Sequence, residues 1–154
     1  MKKKTVKKVC SIIILCLIIF LVRPTYTPSI KGSNSVSELV QINAGGQSQT
    51  LSIRGTNKDN PIVLFLHGGP GLPQICYSRK YQSKLEDNFL VVNWDQRGSG
   101  KSYSFFMDKE NFTKNQLVED AKEVIEYLCK TYGKEKLILV GHSWGTELGM
   151  TLLS

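Results

Sequence analysis

Leu137-Ile138-Leu139-Val140-Gly141-His142-Ser143-Trp144-Gly145 is the stretch that decides how this chain folds. Four apolar residues read as a short strand, G-x-S-x-G follows at once, and the helix-like Thr146–Leu153 comes behind it. A serine in that place is a nucleophile elbow. The strand turns into the helix so sharply that the serine backbone is strained and its hydroxyl projects above the sheet edge. The glycines on either side are needed because a side chain there would strike the neighbouring strand and helix.

A serine hydroxyl near neutral pH needs a base, usually a histidine oriented by a carboxylate. After an elbow serine these partners follow in the order Asp or Glu, then His. Eleven residues follow Ser143, and none is Asp or His; Glu147, one turn into the helix, is too close to be the acid. The chain has two histidines. His142 adjoins the serine inside the turn and is directed away from it, and His67 ends another strand, a structural place. The triad acid and base are therefore expected to be absent from this chain, and the domain to be truncated after the elbow.

Outward from the elbow, Pro61–Leu66 and Phe89–Trp94 are short, mostly apolar runs. With Leu137–Val140 they are expected as parallel strands buried on both faces, the last of them left with an uncovered edge by the stop at Ser154. Ser37–Ile42 and Thr50–Arg54 flank Gly45-Gly46 and predict an antiparallel hairpin. Thr113 is placed to cap a helix reaching Thr131, with Leu117, Ala121, Val124, Ile125 and Leu128 as its apolar stripe and Gly133 as its stop. The fold class expected is α/β: an antiparallel hairpin, then parallel strands joined by crossover helices.

Open α/β sheets place their sites at the carboxyl ends of the strands. His67-Gly68-Gly69-Pro70-Gly71 lies at such an end. Bare backbone there lets amides approach a substrate carbonyl, and the Gly69 N–H with the Trp144 N–H are the expected oxyanion donors. His67, Gly68 and Gly71 are read as their support. Asp95-Gln96-Arg97-Gly98-Ser99-Gly100-Lys101-Ser102 follows the next strand. It ends in Gly-Lys-Ser, but a phosphate loop would also open with glycine, and Asp95 stands in that position. It is read as a turn bracing the oxyanion loop, with Asp95 and Arg97 as the partners.

The amino end has a different composition. Met1–Lys8 carries five lysines and no acid, and Val9–Val22 is uncharged and almost wholly apolar. That is the export-signal pattern, with the lysines on the cytoplasmic side. A helix over Val9–Val22 rises only about 21 Å, against roughly 30 Å of hydrocarbon, yet Arg23–Pro28 offers no small-residue cleavage site. Residues 1–23 are thus expected to be a signal peptide or a transmembrane anchor through Val9–Val22. Residues 24–36 are read as a solvated linker and 37–154 as the incomplete domain, held at the membrane outside the cytoplasm or secreted. The net charge of +7 shrinks to about +1 over residues 31–154, where 14 Lys and Arg face 13 acids. No basic patch remains to bind nucleic acid. Cys76 and Cys129 lack metal-ligand spacing, and nothing in the sequence demands a bond between them. No cofactor or metal motif is present, so none is expected, and the oligomeric state is not legible.

Taken together and in order, H-G-G-P-G, D-Q-R-G-S-G-K-S and G-H-S-W-G resemble the α/β-hydrolase superfamily, and within it the proline iminopeptidase (prolyl aminopeptidase) group of serine peptidases. Asn60–Leu66 fits that group too, and the resemblance covers about residues 36–154. It implies Ser143 as nucleophile, the Gly69 and Trp144 amides as oxyanion hole, and a small peptide substrate cleaved at its N-terminal residue. In those peptidases the acidic groups that recognise the substrate amine come largely from regions without counterpart here. Glycine is usual where His142 stands, and histidine there is shared with esterases. A carboxylic-ester hydrolase of the same fold is one alternative, and a non-catalytic truncated product is another.

Overall fold

The computed structural model describes residues 2–21, 26–107 and 110–154. Five strands form one mixed sheet: β1 (Val36–Ala44), β2 (Gln47–Gly55), β3 (Ile62–Leu66), β4 (Leu90–Asp95) and β5 (Ile138–Gly141). Their spatial order is β1-β2-β4-β3-β5. The β1–β2 hairpin pairs antiparallel from Val36↔Gly55 to Ala44↔Gln47, and β2 continues antiparallel onto β4. β3 is parallel to both β4 and β5. This is the mixed α/β sheet that the hairpin and the apolar runs led one to expect.

Among the described residues four α-helices accompany it: α1 (Lys2–Leu21), α2 (Ile75–Gln82), α3 (Lys114–Tyr132) and α4 (Trp144–Leu153). α3 begins where a threonine can supply an acceptor. The Thr113 side chain accepts from the Gln116 N–H at 3.2 Å, and Gly133 closes the helix at φ 62°. Its buried face is Leu117, Val118, Ala121, Val124 and Leu128, with Ile125 half-buried beside them. α3 packs against β1 and α4, while α4 lies along β5 and β3. The polar α2 starts without a side-chain cap, which is why no sequence signal announced it.

Three expectations compare unevenly with the structure. First, Leu137–Val140 has the uncovered edge expected of it, since β5 pairs with β3 alone among the described residues, but it is not buried on both faces. Ile138 and Val140 keep 47% and 38% of their surface exposed. Second, the transmembrane reading finds no support: among the described residues no helix is long and apolar enough to cross a membrane. The five lysines are themselves part of α1, so its uncharged portion is only Val9–Leu21, about 20 Å of helix. Val22 and Arg23, which the sequence reading assigned to that segment, lie outside the described residues. Third, the stretch read as linker is tied down from Thr27 onward. The Arg54 guanidinium donates to the Thr27 hydroxyl, to the Pro28 carbonyl at 2.9 Å and to Ser37 Oγ at 2.6 Å. Arg54 is itself held by a buried ion pair to Glu86 at 2.8 Å.

Candidate active site

Backbone geometry at the end of β5 identifies the elbow. Ser143 is the single non-glycine residue with positive φ among the described residues, at φ 53° and ψ −119°. That conformation is strained for an L side chain and persists only where the surroundings impose it. They do so through two glycines. A Cβ on Gly141 would come within 2.6 Å of the Gly145 carbonyl and the Thr146 backbone, and one on Gly145 would overlap the Leu66 carbonyl oxygen. The turn is thus pressed between the end of β3 and the first turn of α4. The His142 N–H donates to the Leu66 carbonyl at 3.0 Å and closes it.

Ser143 is exposed, and so is His142. Trp144 is the first residue of α4, so its N–H has no intrahelical acceptor. Gly68 lies over the elbow: a Cβ there would be 3.1 Å from the His142 carbonyl oxygen and 3.2 Å from Ser143 Cβ. Gly69 and Gly71 continue that loop at the surface, at φ 116° and 99°. The structure therefore brings the glycine loop and the nucleophile turn together.

His67, fully buried, stands behind the loop. Its Nδ1 is 2.9 Å from the Gly68 carbonyl oxygen, and its Nε2 is 3.0 Å from Ser99 Oγ and 3.1 Å from the Gln96 backbone nitrogen. The Gln96 side chain also donates to the His67 carbonyl at 3.1 Å. Burial pushes the imidazole below its ordinary range, partly opposed by the Gly68 carbonyl. The bracing foreseen for the Asp95–Ser102 turn is thus made by Gln96 and Ser99.

Asp95 and Arg97 do other work. The buried Asp95 carboxylate accepts the Lys101 N–H at 2.9 Å, and its backbone carbonyl accepts the Ser102 hydroxyl. Burial raises its pKa, opposed by the backbone N–H groups of Lys101 and Ile75 and by the Lys101 charge. Arg97 turns away, to Asp120 on α3 with two contacts of 2.7 Å and to the Gly45 carbonyl at 2.8 Å. Gln96, Ser99 and Asp120 were missed for one reason. The motifs showed which loops meet, while partner choice depends on side-chain direction that no spacing reveals. All four cysteines are free, Cys76 exposed and Cys129 half-buried. A cavity of about 560 Å³ lies between the hairpin turn and the segment after Ser102, lined by Gln47, Arg97, Tyr103 and Phe106 among others, but not by Ser143.

A strained serine between two crowded glycines, facing a glycine loop at the carboxyl ends of parallel strands, is the site of a hydrolase fold. Residues 61–154 match the family model of the alpha/beta hydrolase fold, and the chain belongs to that family. A probable aminopeptidase, YbaC of Bacillus subtilis, is 45% identical over 119 residues, 77% of this chain and 37% of that protein. The proline iminopeptidase of Neisseria gonorrhoeae is 37% identical over 94 residues, 61% of this chain and 28% of its own. Human epoxide hydrolase 4 is 32% identical over 89 residues, 57% of this chain and 22% of its own. The crystal structure of a proline iminopeptidase-related protein from Thermus thermophilus superposes with TM-score 0.63 and 31% identity, covering 77% of this chain and 40% of that one. This chain therefore spans between about a fifth and two fifths of the proteins it matches.

Proposed function

We propose that this chain carries the nucleophile portion of a serine hydrolase that removes N-terminal residues from small peptides outside the cytoplasm. Ser143 attacks the scissile carbonyl, and the Gly69 and Trp144 amides take up the charge on its oxygen. The histidine that accepts the serine proton, and the carboxylate that orients it, come from polypeptide outside these 154 residues. The reading rests on one observation above all: Ser143 is held at φ 53° between two glycines whose sites have no room for a side chain. Preference for a peptide is supported by similarity to the aminopeptidase and the proline iminopeptidase. Export is supported by the lysine-rich start of α1 and the apolar stretch behind it, acting as a signal-type segment.

Chemical rescue tests this. The purified chain is expected to hydrolyse proline amides and p-nitrophenyl esters no faster than Ser143→Ala. Added imidazole, standing in for the base, is expected to raise hydrolysis above the Ser143→Ala background. No Ser143-dependent increment would defeat the assignment of the nucleophile. A Ser143-dependent rate of about 1 s⁻¹ without imidazole would show that the base lies within this chain. A rescued increment on esters but not on prolyl amides would favour the ester hydrolase instead.

A further inference from the structure

His67 is fully buried at the end of β3, and the chemistry proposed above gives it no step. Its contacts leave one arrangement of protons. Nε2 faces the Gln96 backbone N–H at 3.1 Å, a group that can only donate, so Nε2 must present its lone pair. The proton of the neutral ring is then on Nδ1, 2.9 Å from the Gly68 carbonyl oxygen, a group that can only accept. The Ser99 hydroxyl lies 3.0 Å from Nε2 and 2.7 Å from the Gln96 carbonyl, and it suits this state because its proton turns to either. The other tautomer would set N–H against N–H at Gln96 and a lone pair against the Gly68 oxygen. Buried away from water, both mismatches would go uncompensated.

The Gly68 carbonyl shares a planar peptide unit with the Gly69 N–H, and in a trans peptide the two point in opposite directions. Anchoring the oxygen on His67, and on the Leu72 N–H at 3.2 Å, therefore aims the Gly69 amide away from the imidazole. Crowding of Gly68 against His142 and Ser143 Cβ limits rotation of that peptide.

We propose that Gln96 and His67 are positioning residues for the oxyanion amide. The Gln96 N–H sets the tautomer of His67, and the Nδ1–H of His67 sets the direction of the Gly69 N–H. This rests on the reading of Ser143 as nucleophile and extends it, because the glycine loop and the Asp95–Ser102 turn then form one device. His67 touches no reacting atom; it acts through the peptide it holds.

Nitrogen NMR on the full 154-residue chain tests this without any catalytic assay. His67 is expected to show a protonated Nδ1 and an unprotonated Nε2, and to stay in that neutral form as the pH is lowered to 6. The Gly69 amide is expected to be as rigid as regular backbone, with an order parameter near roughly 0.85. His67→Asn, whose side-chain amide offers a donor near the place of Nδ1, should keep that rigidity. His67→Leu should lose it, falling below about 0.6. Should the Leu variant not fold, the native tautomer and the Asn variant still decide. A native ring protonated on Nε2, an imidazolium at pH 6, or a Gly69 amide that stays rigid in a folded His67→Leu would overturn the proposal. Loss of the imidazole increment at Ser143 would sink the hydrolase reading and leave the tautomer as it is, so the two failures are separable.

Discussion

The chain's two tryptophans both stand at the carboxyl edge of the sheet, and they differ in what surrounds them. Trp94, next to last in β4 between β2 and β3, is 1% exposed and donates its indole N–H to Gln49 at 2.9 Å. Gln49 in turn donates to the Ala44 carbonyl at 3.0 Å. Trp144 heads α4 beside the edge strand β5, is half-buried, and its buried indole nitrogen has no acceptor among the described residues. The same division runs through the site. The Gly69 amide is backed by His67, Gln96 and Ser99 at the end of β4, whereas Ser143 and the Trp144 amide follow β5, which pairs with β3 alone among the described residues.

Breaking the buried side should have the largest effect. Asp120→Ala strands the Arg97 guanidinium, 4% exposed, without its partner, and is expected to cost about 3–5 kcal/mol in urea unfolding. Lys114→Ala removes the open ion pair that links α3 to α4 and should cost less than about 1 kcal/mol. Equal losses would erase the distinction between the two regions. Next comes Gly145→Ala, whose new methyl would overlap the Leu66 carbonyl, with an expected loss on the order of 3 kcal/mol. A variant as stable as the parent would mean that the elbow is not clamped.

Amide exchange sharpens the contrast without mutation. β3 and β4 amides are expected to open only with the whole sheet, and those of β5 earlier. Matching protection would show the edge strand to be as secure as the centre. The smallest effect is in pH. Because burial lowers the pKa of folded His67, the unfolded ring takes up a proton at a higher pH than the folded ring does. Its contribution to stability is complete above the ordinary value of 6.5 and is lost as pH falls below it. Between pH 7.5 and 5 the urea midpoint of the parent should therefore drop further than that of His67→Asn, and parallel curves would refute this.

Much of this was legible beforehand. Glycine spacing around Ser143, solid apolar runs, and Thr113 and Gly133 at the two ends of α3 are local signals, each acting within a few residues. Local signals gave the elbow, the hairpin and the helix. What failed to show was non-local. Ile138 and Val140 are as apolar as Val63 and Leu64, and only sheet order decides which pair is covered. α1 carried its lysines into the helix because nothing in Met1–Lys8 breaks one. Thr27 and Pro28 resembled solvent-exposed chain because Arg54, 26 residues or more away, is what binds them.

That last attachment fixes a length. From Leu21, the last helical residue of α1, to Thr27, where Arg54 first takes hold, there are six backbone steps, at most about 20 Å of extended chain. Any partner bound at the carboxyl end of the amino-terminal helix would therefore lie within that reach of the Arg54 end of β2.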